Sequence, residues 1–115
     1  MATQNIAALS LSYALTGNVA ANRFVTVAGA QAGADANALG VARNAGGNGD
    51  LVTLDVLGTA IVEAGAGIAK GASLKVDASG RAITWATAGA EVAIALEAAS
   101  GAGALLEVFL IPNVA

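Results

Sequence analysis

Residues 9–16 read LSLSYALT: Leu9, Leu11, Tyr13 and Leu15 alternate with Ser10, Ser12, Ala14 and Thr16. A period of two puts the large side chains on one side of an extended chain and the small ones on the other, the mark of a half-buried strand. The alternation decides the matter because composition pulls the other way. Of 115 residues 31 are alanine, the best helix former, yet the pattern here is not helical.

The same reading extends along the chain. RFVTVAG (23–29) is short, β-branched and aromatic, and ends on glycine. DLVTLDVLG (50–58) and TAIVEAG (59–65) are apolar with intermittent acids. SLKVD (73–77) places Leu74 and Val76 on one face, and a turn at DASG, with Asp77 and Gly80, leads into RAITW (81–85). VAIAL (92–96) alternates, and LLEVFLI (105–111) runs up to Pro112. Two segments stay open: 28–38 as loop or short helix, and 86–100, where helix propensity competes with the alternation at 92–96. The predicted fold is all-β, a compact small β-barrel or β-sandwich of about eight short strands with glycine-rich turns. Residues 1–115 form one domain, with 1–8 a flexible N-terminal arm and 9–115 the β core. The arm is uncharged and too poor in apolar surface to offset its own ordering, so it is expected to be mobile in the free protein.

LGVARNAGGNGDLVTLDVL (39–57) is echoed by IALEAASGAGALLEVFLI (94–111). With one residue dropped, Gly46 meets Gly101, Gly49 meets Gly103 and Leu51 meets Leu105. Each reads as strand, glycine-rich turn, strand, so one hairpin unit is used twice.

EAGAGIAKGAS (63–73) invites comparison with a phosphate loop, but Lys70 precedes Gly71 and Ser73 follows two residues later, the reverse of G-x-x-x-x-G-K-[ST]. A strand, not a helix, is expected to follow, so the amide nest of a helix start is missing. The stretch reads as a glycine-permitted turn, with Gly71 or Gly67 at positive φ and Lys70 turned to solvent or a partner.

Charge is sparse: Arg23, Arg43, Lys70, Lys75 and Arg81 against eight acids, net −3. Neither this balance nor four scattered aromatics suits nucleic acid, and no nucleic-acid partner is expected. The longest charge-free stretch, 1–22, is broken by polar residues and lacks a basic start, so neither a membrane partner nor a signal peptide is expected. A folded monomer of this mass exposes roughly 5,600 Å², or roughly 430 Å² for each of the 13 charged side chains. That density is low for a free monomer, and implies a surface covered by copies of the chain or by a partner.

There is no Cys and no His, which removes thiolate nucleophiles, the usual zinc sites and the ordinary triads. Asp50 and Asp55, five apart on a strand, point to opposite faces. Glu91 and Glu97 stand roughly 20 Å apart along a straight strand, too far for a glycosidase pair. These acids, and Arg23, Arg43 and Arg81, read as solvated or interface charges. Trp85 reads as a core or interface residue. No catalytic group, metal or cofactor is assigned.

The residues now assembled resemble the small decoration, or cement, proteins of tailed-bacteriophage heads. The resemblance rests on a G-V-A hairpin (40–42), a glycine turn carrying Lys70-Gly71 with Leu74 behind it, V-D-x-x-G-R (76–81) and a closing A-L-E-A-A…V-x-L hairpin (95–110). It spans roughly residues 22–112. It implies no enzymatic activity, a homotrimer on the outer surface of the expanded head, the major capsid protein as partner, and stabilisation against internal DNA pressure. Such a protein is made in the host cytoplasm and resides in the virion. It also implies that the arm, Ala2, Thr3, Gln4, Asn5 and Ile6, contacts the capsid. Two other readings remain. One is a small ligand- or carbohydrate-binding β module, which the scattered aromatics disfavour. The other is a β-clip accessory domain cut from a larger enzyme, which Met1 and the close after Pro112 disfavour.

Overall fold

The computed structural model of the protein describes residues 6–86 and 88–111. Eight strands form: β1 (Ala7–Ala14), β2 (Phe24–Val25), β3 (Gly40–Ala42), β4 (Leu51–Glu63), β5 (Ser73–Val76), β6 (Ala82–Thr84), β7 (Ala93–Ala95) and β8 (Leu105–Leu110). They pair antiparallel in the order β2-β3-β4-β8-β7-β5-β6, with β1 also on β4. The sheet curls until its ends nearly meet. The Gly65 amide donates to Ala82 O, and the Phe24 amide donates to Gly80 O beyond β5. The all-β, eight-stranded expectation holds, and no helix occurs among the described residues, so 28–38 and the described residues of 86–100 are turns and short strand. β1 starts at Ala7, inside the segment assigned to the arm; Ala2, Thr3, Gln4 and Asn5 lie outside the described residues.

β4 serves two ladders. Leu51–Leu57 pairs with β1 and its middle also with β3, while Thr59–Glu63 pairs with β8. The register is the same twice over. Ala14↔Leu51, Ser12↔Thr53 and Ser10↔Asp55 stand where Glu63↔Leu105, Ile61↔Glu107 and Thr59↔Phe109 stand. The loops repeat as well. Leu15 N–H donates to Asp50 O as Ala64 N–H does to Ala104 O, and Val19 and Gly46 exchange hydrogen bonds as Ile68 and Ala99 do. The chain is therefore one supersecondary unit used twice, over 7–57 and 56–110, overlapping within β4. The hairpin echo is its visible part, shifted at one point: Gly46 corresponds to Ala99, and Gly47 to Gly101. Gly58, which reads as a strand end, is instead a bend of φ 94 inside one 13-residue strand, where β4 passes between units.

Each unit has its own core. The first is built on Leu15, Val19, Val25, Ala42, Val52 and Leu54. The second is larger and includes Val62, Leu74, Val76, Val92, Leu106, Val108 and Leu110. Phe24 and Val41 face away from the first core and are buried in the second, and this joins the units. Seven alanines beginning at Ala60 (64, 82, 90, 93, 95 and 99 being the rest) are buried in that second core. A tightly curled sheet leaves little interior volume, and close packing is then reached with methyl groups. That is why an alanine-rich chain builds strands here.

Trp85 is not a core residue. It lies half-exposed just past β6, its indole N–H donating to Gly89 O at 3.0 Å. Asp55 and Glu107, by contrast, are buried rather than solvated.

Gly71 takes φ 88 at the turn into β5, and Gly67 has no positive φ. The Gly71 amide donates to Ala95 O just as Asn22, at φ 64, donates to Ala42 O in the first unit. Gly71→Val should lose more than about 1 kcal/mol, because a β-branched residue is strained at that φ even in open space. Gly71→Asn should lose less, since Asn22 already adopts this geometry. Thermal melts of the two variants check the order, and an unchanged melt for both would remove the argument.

Candidate functional site

Four of the five cations are held within the chain. Arg23 reaches Glu63 through Nη2 at 3.1 Å and donates from Nη1 to Ser79 O at 2.8 Å. Arg81 sits 3.7 Å from the other Glu63 oxygen and 3.3 Å from Asp77. Together these tie β4 to the start of β2 and to the β5–β6 turn. Lys75 lies 2.8 Å from Asp35. Arg43 lies 2.6 Å from Asp55 Oδ1, which also accepts from Ser10 Oγ at 2.9 Å. The charges expected to be solvated are thus mostly paired across strands. Lys70 is exposed in its turn and has no ion pair among the described residues. The segment after it enters β5, a strand, so the geometry of a phosphate loop is absent there.

The acids do not assemble into a reactive pair. Asp55 is buried under its guanidinium, whereas Asp50 is exposed and caps the Gly47 amide at 2.8 Å. Glu91 is exposed, while Glu97 accepts the Glu107 amide at 2.9 Å. Among the described residues no group of three or more acids is placed to hold a metal ion, and no helix is long and apolar enough to cross a membrane.

What the molecule offers instead is apolar surface. β8 carries Leu106, Val108 and Leu110 into the core and turns Leu105, Glu107 and Phe109 the other way. Leu105 is 44% exposed and Phe109 48%. Ile61 on β4 faces Glu107, Ile94 on β7 faces Phe109, and Leu96 just past β7 is 38% exposed. Antiparallel sheets ordinarily turn a polar face to water. Around β8 this one is apolar on both sides, and the signal in the sequence was the run LLEVFLI, interrupted only by Glu107, where an alternating strand would be expected. Glu107 sits sunk in the middle of this face, 8% exposed, with its Oε2 lacking a hydrogen-bond partner among the described residues.

The two units differ most here. The first unit has Ser10, Ser12, Asp55 and Arg43 where the second has Thr59, Ile61, Phe109 and Leu96. The same backbone carries a polar, ion-paired face in one copy and an apolar face in the other.

A second apolar feature is a groove of 510 Å³ between the units, lined by Phe24, Val27, Leu39, Val56, Leu57 and Leu110 among others. Val27, at its rim, is 68% exposed. Of the arm residues named from the sequence, Ile6 alone is described. It is 59% exposed, and its amide donates to Thr59 Oγ1 at 2.8 Å while its carbonyl accepts the Thr59 amide at 2.8 Å.

Comparison with known proteins bears on what such a surface serves. No curated protein matches the chain. Among solved structures, the crystal structure of the head fiber gp8.5 N base of bacteriophage phi29 superposes with a TM-score of 0.73 at 23% identity, covering 93% of this chain and 97% of that one. At that identity the likeness is one of fold. The family model described as phage cement protein matches residues 3–110, and the chain accordingly belongs to the phage cement protein family, a family of structural, capsid-associated proteins.

Proposed function

We propose that the protein is a decoration protein that seats as a homotrimer on the outer surface of the expanded phage head, binds the major capsid protein and stabilises the shell against internal DNA pressure. The observation that carries the reading is the pairing of apolar outer surface with internally neutralised charge. Leu96, Leu105, Phe109, Leu51 and Val27 are all more than a third exposed, while four of the five cations are spent within the chain. Such a surface gains by being covered, and it has few cations left for phosphate backbones. Ala2, Thr3, Gln4, Asn5 and Ile6 are the proposed capsid contacts. An extended, uncharged segment can add backbone hydrogen bonds to a partner strand. The protein is made in the host cytoplasm and acts in the virion. Catalysis has no part in this role.

The test uses expanded heads in three states: undecorated, decorated with full-length protein, and decorated with protein lacking residues 2–5. Full-length protein should cosediment with heads and raise the temperature at which they release DNA. The truncated protein should bind more weakly and protect less. Full-length protein that neither binds nor protects would overturn the cement role. Equal binding and protection by both would remove the arm contact, and a stable monomer in solution with isolated single copies on heads would remove the trimer.

A further inference from the structure

β1 is an edge strand whose outer side is open. Successive residues of an antiparallel strand turn their backbone groups to opposite sides, and the chain just past β1 fixes which way each points. The Leu15 amide donates to Asp50 O, on the β4 side, and the Thr16 amide donates to Gly29 O, on the other. Leu11 and Tyr13, in step with Leu15, bond to β4 opposite Leu54 and Val52. Ser10 and Ser12, in step with Thr16, turn their N–H and C=O groups away from the sheet. β1 pairs with β4 alone, and among the described residues no group bonds to these outward ones.

The second unit treats the same edge differently. Thr59, Ile61 and Glu63 of β4 stand where Ser10, Ser12 and Ala14 stand in β1. The Thr59 amide donates to Ile6 O, the Glu63 amide to Asn22 O and the Gly65 amide to Ala82 O, so the chain covers that edge itself. Open edges ordinarily carry a guard against pairing: a charge, a proline or a bulge. From Ser10 to Ala14 β1 has neither charge nor proline, and its register shifts all lie before Ser10. Ser10 and Ser12 are exposed, whereas Leu11 and Tyr13 are half-buried, with Tyr13 packed against the first core. A strand added here gains the outward backbone bonds. It sets apolar side chains level with Leu11 and Tyr13, and small polar ones level with Ser10 and Ser12.

A second copy does not fit as the occupant. A ring of copies needs β1 to pair with a different edge of its neighbour. The other edge strands are short and already bonded: Phe24 of β2 to Gly80 and Ala32, and Ala82 of β6 to Gly65. Pairing β1 with β1 would close a two-fold dimer, not the trimer proposed above.

We infer that β1 is the edge on which the shell adds a strand: an extended segment of the major capsid protein, its apolar and small polar residues alternating, hydrogen-bonded to Ser10 and Ser12. The inference rests on the decoration role proposed above, and it places a shell contact on the body of the protein, separate from the arm.

Ser12→Pro tests it. The change deletes one outward N–H and no bond to β4, and an edge strand tolerates proline where the N–H faces out. The variant should fold and melt close to wild type, yet bind expanded heads about tenfold more weakly, the equivalent of about one backbone hydrogen bond. Tyr13→Pro, whose N–H faces β4, should instead lower the melting temperature. If Ser12→Pro does not fold, Ser12→Cys carrying a photo-crosslinker decides alone: on heads it should join the shell protein. Equal head binding by wild type and folded Ser12→Pro would overturn the inference and leave decoration standing. So would cross-links from position 12 that never reach the shell protein, or that run only to other copies. Wild-type protein that does not bind heads at all would overturn the decoration role, and this inference with it.

Discussion

Gly40→Ala should destabilise the protein by about 3 kcal/mol or more, although it adds a single methyl group. A Cβ at this position would overlap the backbone carbonyl oxygen of Asp55 and lie 2.9 Å from Val56 Cγ1. The first obstacle belongs to β4, the strand common to both units, and cannot yield without loosening the Val41↔Asp55 pairing beside it. The requirement is local to the first unit. Ala93 holds the corresponding place in the second, opposite Leu74 as Gly40 is opposite Val25, and carries its methyl group without difficulty. Gly33→Ala is the control, since nothing lies within 4 Å of a Cβ there and its φ is not positive; it should change stability by no more than about 0.5 kcal/mol. Denaturant unfolding of both variants measures the difference. Equal effects would mean that β3 and β4 separate easily, and that the close approach holds nothing together.

How much of this could be read from the sequence depends on what kind of interaction repeats. Period-two alternation exposed β1 and β7, and turn glycines exposed both hairpins, because strand direction and turn geometry are written in neighbouring residues. The full duplication was less legible. Its two copies share hydrogen-bond positions, such as Leu15 to Asp50 and Ala64 to Ala104, and backbone bonds do not constrain side-chain identity. Gly58 read as a terminator because a glycine that bends a strand and one that ends it look alike in one dimension. The ion pairs joining Arg23 to Glu63 and Arg43 to Asp55 link residues 40 and 12 apart in sequence, and nothing local announces them. For the surface, the LLEVFLI run carried the signal that β8 is apolar on both faces. The burial of Glu107 in that face followed only from the pairing of Ile61 with Glu107.

The divergence of the two units gives that surface its meaning. Where backbone geometry is held constant, side-chain differences mark what each copy is used for. In the first unit the face turned away from its own core is partly consumed inside the molecule, because Phe24 and Val41 pack into the second core. The equivalent face of the second unit has no such neighbour within the described residues, and its side chains are larger and more apolar. A duplicated fold thus supplies one face for joining its own halves and leaves the matching face for contacts beyond them.

The ion pair in the first unit should respond asymmetrically to truncation. Asp55 has a side chain 2% exposed, and that of Arg43 is 48% exposed. Asp55→Ala removes the buried charge and leaves a guanidinium that can turn into water, so its cost is mainly the lost packing and hydrogen bonds, about 1–2 kcal/mol. Arg43→Ala takes away the cation and leaves the carboxylate in place under β1. A buried charge whose counter-ion is removed costs more than the interaction itself was worth, about 2–4 kcal/mol here. The surface residue should therefore be the more damaging to lose, contrary to what exposure alone suggests. The double variant Arg43→Ala/Asp55→Ala separates the two contributions. It should be no less stable than Arg43→Ala alone, since deleting the carboxylate that has lost its cation relieves the penalty. Chemical denaturation of the three proteins at neutral pH gives the comparison. If Asp55→Ala proves the costlier single change, or if the two losses simply add, the carboxylate is not desolvated as its 2% exposure indicates, and the pair acts as an ordinary surface ion pair.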